Sequence, residues 1–245
     1  MHLECREQIP KICSAIMGRT EEEIISEVKI LSEFAVNIFE WRADFYEQAD
    51  QPDSVQNILS KMRRAAKNRE IIFSLRSQMQ GGRCGMDSES QHQVFQRVLH
   101  SGYADYIELE VHNFLPWKQE IIKQAKELGT KTIASVYDYS KTPPSPRIRE
   151  LLEHCEKTGA DIPKIAVMTH SRRDVLSLLQ GILESEDAYG KKKRIVVAMG
   201  SAGGISRFAP SLFGSFLTFS SGISTSLQGQ INPNDLRLIL NQTEG

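Results

Sequence analysis

The sequence predicts a parallel eight-stranded barrel of the α/β class, a (β/α)8 TIM barrel, and three observations carry that prediction. Short β-like apolar runs alternate with amphipathic helical patterns from one end of the chain to the other. Dividing the 245 residues among eight such units leaves about 31 for each, the length of a parallel strand with its crossover helix. No Pro/Gly/Ser-rich linker or low-complexity stretch interrupts the series, so residues 1–245 read as one domain. A doubly wound open sheet would call for a GxGxxG nucleotide fingerprint after an early strand. The first strand leads instead into Met17-Gly18-Arg19-Thr20.

The first strand falls at 11–16, and Thr20 before three glutamates caps a helix over 21–34. A strand at 35–42 precedes a helix over 54–67 that Asp53-Ser54 would start, and the strand at 70–76 precedes a helix over 89–100 opened by Asp87-Ser88. The fourth strand, 106–111, is followed by a helix over 116–128 that stops at Gly129. Strands at 131–136 and 162–168 lead into helices over 148–157 and 172–184, with stops at Gly159 and Gly190. Strands at 194–199 and 215–219 and a helix over 234–241 complete the series.

Composition narrows the function classes. With 40% hydrophobic and 25% charged residues the chain can bury a large core. Thirty basic against thirty-one acidic side chains leave no overall field for a polyanion, so nucleic acid is not the expected partner. Apolar runs such as Ile195-Val196-Val197-Ala198-Met199 are too short to span a bilayer, and residues 1–11 lack an apolar signal core, so no membrane partner and a cytoplasmic location are expected. Cys5, Cys13, Cys84 and Cys155 form no CxxC pair; free thiols and no metal site are expected.

A parallel barrel collects its chemistry at the C-terminal ends of its strands. Glu40-Trp41-Arg42 there places Glu40 and Arg42 inward with Trp41 outward, an acid and a base suited to hydroxyl recognition or to a buried ion pair. Arg76 runs into Gln80-Gly81-Gly82, a loop able to approach a ligand closely or simply a turn. Glu108 and Glu110 share one face, as partners for a neighbouring cation more readily than as an acid/base couple, with His112 just beyond. Lys164 sits in a strand of Ile162, Ile165, Ala166 and Val167. Desolvation there would favour a neutral, nucleophilic amine able to form a Schiff base, and pairing to an interior glutamate is the plainer reading. The Gly-rich run from Met199 to Ile205 leads to Ser206-Arg207, a fork matched to an anion, and Ser226, Gln228 and Gln230 flank Gly229 in a segment that could close over a site.

These residues resemble the type I 3-dehydroquinate dehydratases. The resemblance runs over essentially the whole chain, from Ser14-Ala15-Ile16-Met17-Gly18 through Glu40-Trp41-Arg42, Phe73-Ser74-Leu75-Arg76 and Ala160-Asp161-Ile162-Pro163-Lys164-Ile165-Ala166 to Ser206-Arg207, Phe213-Gly214-Ser215, Thr218-Phe219 and Gly229-Gln230-Ile231. It implies a (β/α)8 barrel, usually dimeric and without metal or cofactor, in which a lysine condenses with the ketone of a small cyclic keto acid and a histidine moves protons. By position, Lys164 resembles the imine-forming lysine, Arg207 with Gln230 and Ser226 the group that holds the carboxylate, Glu40, Arg42 and Arg76 the groups that recognise hydroxyls, and Ser14 a pocket serine.

Three departures cluster around that lysine. Tyr137 stands where the family has its histidine, Gln80 where it has the glutamate that orients and charges that histidine, and Leu227-Gln228 where the lid usually reads Ala-Pro. His112 and His170 lie near other strand ends. Three readings follow: a lyase on 3-dehydroquinate or a close relative in which Tyr137 moves the protons, a Schiff-base enzyme recruited to an aldol-type or cyclisation step, and a barrel that only binds a ligand.

Overall fold

The chain is described by a computed structural model over residues 9–112, 114–223 and 231–243. Its strands are β1 (Lys11–Ile16), β2 (Ile38–Arg42), β3 (Glu70–Ser74), β4 (Tyr106–Glu110), β5 (Lys131–Asp138), β6 (Ile162–Met168), β7 (Ile195–Met199) and β8 (Leu217–Phe219). The helices are α1 (Glu21–Leu31), α2 (Pro52–Ala66), α3 (Ser88–Ser101), α4 (Pro116–Leu128), α5 (Ser145–Lys157), α6 (Arg172–Tyr189), α7 (Ile205–Phe208) and α8 (Pro233–Thr243). All pairings are parallel, in the order β7-β6-β5-β4-β3-β2-β1-β8. An isolated parallel bridge from Arg194 to Ser215 joins the ends, so the barrel is nearly closed.

Side chains two apart on a strand share a face, and this alternation divides the barrel into layers. Cys13, Ile38, Ile72, Tyr106, Ile133, Ile162, Ile195 and Leu217 form one interior cluster, a residue from each strand, which makes an apolar floor. Two positions further along stand Glu40, Glu108 and Lys164, so the charged groups lie above that floor. Outward residues such as Phe39, Trp41, Phe73 and Ile107 pack with apolar residues of α1 to α4, and Ile165, Val167 and Val196 with those of α5 and α6.

The elements follow the sequence pattern with local differences. β2 begins at Ile38 because residues 34–36 form a tight turn, Val36 N–H donating to the Phe34 carbonyl. α2 starts at Pro52, ahead of the expected Asp53-Ser54 cap, since proline's fixed φ suits the first helical position. α6 runs to Tyr189, and α7 follows the Gly-rich run, where only a loop is expected. Cys13, Cys84 and Cys155 are free and buried; Cys5 lies outside the described residues. No described helix is long and apolar enough to cross a membrane.

The Thr20 cap forms as expected, with its hydroxyl accepting from Glu23 N–H while the Glu23 carboxylate accepts from Thr20 N–H. Thr20→Ala should therefore cost about 1 kcal/mol, seen as a lower denaturant midpoint with unchanged slope.

Candidate active site

A cavity of about 350 Å³ opens at the C-terminal ends of the strands, a size suited to a small molecule. Glu40, Arg42, Arg76, Tyr137, Lys164 and Arg207 line it together with Met17, Phe45, Ala166, Val197, Met199 and Phe219.

Lys164 is 1% exposed, and its Nζ lies 2.7 Å from Glu108 Oε2 and 3.6 Å from Glu40 Oε2. Of the two readings of Lys164, desolvated nucleophile and partner of an interior glutamate, the geometry gives the ion pair, because the barrel interior brings carboxylates from β2 and β4 to the same place. Burial pushes the Glu108 carboxyl up, but Lys164 and Arg76 beside it outweigh that and hold it below the usual carboxylate range.

The Tyr137 hydroxyl donates to Glu108 Oε1 at 2.5 Å and accepts from Arg76 Nη2, whose guanidinium lies 3.9 Å above the phenol ring. Burial drives this phenol well above its ordinary pKa. The charge of Arg76 opposes this, and burial together with the carboxylates of Glu108 and Glu40 outweighs it. At neutral pH Tyr137 is a protonated donor. Arg76 also bonds Glu40 Oε1 at 2.8 Å and the Tyr139 hydroxyl at 3.3 Å. Burial alone would lower its pKa, but the surrounding oxygens raise it well above the ordinary value, so it is a fixed cation.

Glu40 and Arg42 do point inward, but not as a mutual pair. Arg42 closes a fork on Asp44, with both contacts at 2.8 Å, and packs over Phe45. Glu40 instead serves Arg76 and Lys164 across the barrel. Arg207, carried by α7, is buried, and its Nε and Nη1 have no hydrogen-bond partner among the described residues. A guanidinium so placed on the cavity wall is a seat for an anion.

Gln80 Oε1 accepts from Tyr137 backbone N–H at 2.7 Å, so it anchors the main chain of β5 and does not orient the Tyr137 side chain. Ser14 stands on the outward face of β1, bonded to Ser220 at 2.6 Å. Ala15, one position on, is the β1 residue that lines the cavity, as the twofold alternation of a strand requires. Glu110 accepts from Ser77 N–H, His112 is exposed, and His170 is bonded to the Ser140 carbonyl; none of them lines the cavity. Ser226, Gln228 and Gln230 lie outside the described residues. Tyr139, Phe45, Met17, Met199 and Phe219 were not singled out in the sequence. Strand parity marks Met17, Met199 and Phe219 as inward, whereas Phe45 arrives on the short 3-10 turn Ala43–Phe45 that follows β2.

The loop after β3 is tightly seated, since a Cβ on Gly82 would lie 2.2 Å from the Arg76 carbonyl oxygen. Gly82→Ala is expected to displace Arg76 and Gln80 together, lowering stability by about 1–3 kcal/mol and turnover with it. Thermal unfolding and a steady-state assay check both.

The type I 3-dehydroquinase family model matches residues 12–245. A 3-dehydroquinate dehydratase from Clostridium novyi is 33% identical over 235 residues, covering 96% of this chain and 93% of the relative. One from Syntrophotalea carbinolica is 32% identical over 232 residues, covering 95% and 92%. Among solved structures, a type I 3-dehydroquinate dehydratase from Clostridium difficile with covalently modified comenic acid superposes with a TM-score of 0.92 at 33% identity, covering 98% of this chain and 94% of that one.

Proposed function

The chain belongs to the type I 3-dehydroquinase family, and from that premise we propose that it is a Schiff-base-forming hydro-lyase acting on 3-dehydroquinate or a closely related cyclic keto acid. The observation that carries this reading is the placement of one buried amine, Lys164, in a small cavity whose wall also holds a guanidinium edge of Arg207 that has no hydrogen-bond partner among the described residues.

In this reading Arg207 holds the substrate carboxylate together with Gln230 and Ser226, as the family resemblance implies, and Gln228 is a further substrate-binding residue. Glu40, Arg42 and Arg76 meet the ring hydroxyls. Lys164 Nζ adds to the ketone, and water leaves as the imine forms. The imine then acidifies the neighbouring C–H, loss of that proton with the ring hydroxyl gives the product imine, and water hydrolyses its C–N bond to release the conjugated ketone and free Lys164. Tyr137, held protonated by burial, suits proton donation to a leaving oxygen and is a poor base for the C–H step. Imine formation is therefore the easier half of the reaction in this site, and C–H abstraction limits it. The phenol in place of an imidazole also favours a second reading, an imine enzyme recruited to a different step on a related ketone. A cytoplasmic homodimer belongs to the same proposal, and light scattering on the purified chain tests its dimeric part.

The test is intact mass after mixing with 3-dehydroquinate and borohydride, which reduces an imine to a stable amine. An adduct on Lys164 lacking the ring water supports the dehydratase. An adduct retaining it turns the assignment to the recruited enzyme, and no adduct overturns 3-dehydroquinate as the substrate.

A further inference from the structure

We propose that Glu108 and Tyr137 form a proton relay that carries both surplus protons of the Lys164 ammonium to the oxygen of an incoming ketone. The proposal rests on the reading of Lys164 as the imine-forming amine and adds a carboxylate to the catalytic residues.

The contacts form one line. Lys164 Nζ donates to Glu108 Oε2 at 2.7 Å, and the other oxygen of the same carboxylate accepts the Tyr137 hydroxyl at 2.5 Å. A counter-ion for Lys164 needs only the first of these contacts. The second connects the amine to a phenol that lines the cavity. Arg76 donates to the Tyr137 oxygen, so it stabilises the phenolate that exists for the moment between giving up one proton and taking the next. Of the remaining titratable groups nearby, Glu40 bonds Arg76 through Oε1 and its Oε2 stands 3.6 Å from Lys164 Nζ, farther than Glu108 and without a contact to the phenol, and burial holds Cys13, on the floor, as the thiol.

The proton count closes without an external acid. Condensation converts an ammonium with three protons and a ketone into a protonated imine with one, and the oxygen leaves as water carrying the other two. In the first pass Glu108 takes a proton from Nζ, the freed amine forms the C–N bond, and Tyr137 gives its proton to the carbonyl oxygen while recovering one from Glu108. In the second pass the same path takes another proton from nitrogen to the carbinolamine hydroxyl as the C–O bond breaks. Glu108 ends as carboxylate and Tyr137 as phenol, as they began.

The relay is tested with pyruvate and cyanoborohydride, because capture of this small keto acid does not depend on which ring the enzyme dehydrates. Capture at Lys164 is timed by intact mass and located by peptide mapping in the unaltered chain, Glu108→Gln, Tyr137→Phe and the double variant. Each single change should slow capture by about 10²- to 10⁴-fold, and the double variant should be no slower than the slower single one, because the two groups act as a unit. Capture by either single variant at the unaltered rate overturns the relay, as do losses that multiply in the double variant. Tyr137→Phe keeps the Lys164–Glu108 pair and so remains decisive if Glu108→Gln does not fold. Absence of pyruvate capture by the unaltered chain also overturns the relay. Capture of pyruvate without capture of 3-dehydroquinate supports the relay and removes the dehydroquinate reading instead.

Discussion

Lys164→Ala is expected to abolish covalent capture of 3-dehydroquinate and to reduce turnover by about 10⁶-fold, the scale seen when the nucleophile of a catalytic unit is deleted. It should also destabilise the fold. The lysine is 1% exposed, and its removal leaves the buried Glu108 with Arg76, 3.7 Å away, as its one cationic partner among the described residues. Breaking a buried pair in this way costs about 3–5 kcal/mol, mostly from the stranded charge rather than from lost attraction. Neutralising that charge should then recover stability. Lys164→Ala combined with Glu108→Gln is expected to unfold at a higher denaturant concentration than Lys164→Ala alone, while remaining inactive. A double variant no more stable than the single would place the cost in lost packing, and reducible adduct in the single variant would put the imine on another amine.

The second large effect is a gain. Tyr137→His with Gln80→Glu should raise 3-dehydroquinate dehydration by about 10²- to 10⁴-fold, the usual worth of a positioned acid/base group. An imidazole titrates near pH 6.5 and can both accept the ring proton and return it, whereas the Tyr137 phenol is driven far above neutrality by burial and by two carboxylates. Gln80 already reaches residue 137 through its backbone N–H, so a glutamate there keeps an acceptor in place and adds charge beside the ring. The imidazole works as a base in its neutral form, so the gain should fade as pH falls through its pKa. Formation of the conjugated product, followed by absorbance, gives the rate. No gain would mean that the barrel has been reshaped for other chemistry and not merely altered at one proton carrier.

The architecture was legible because it is written locally. Period-two apolar runs, helix caps and a repeat of about 31 residues need no long-range information, and they place eight strands correctly to within a few residues. Parity along a single strand likewise pointed Glu40 and Arg42 inward, and the identity of residue 137 showed that an imidazole is absent from the fifth strand.

Partnerships were not legible, because they depend on barrel closure and on register between strands far apart in sequence. Glu40 belongs with Arg76 and Lys164 although Arg42 stands two residues away, and Glu108 reaches both Lys164 and Tyr137 from β4. The one-residue difference between Ser14 and Ala15 shows the same limit, since a motif match does not say which face of a strand looks into the cavity. The sequence by itself determined the barrel and singled out Lys164 as the candidate amine. Only the tertiary structure decided what that amine touches, because charges buried together are chosen by the geometry that brings them within 4 Å of one another.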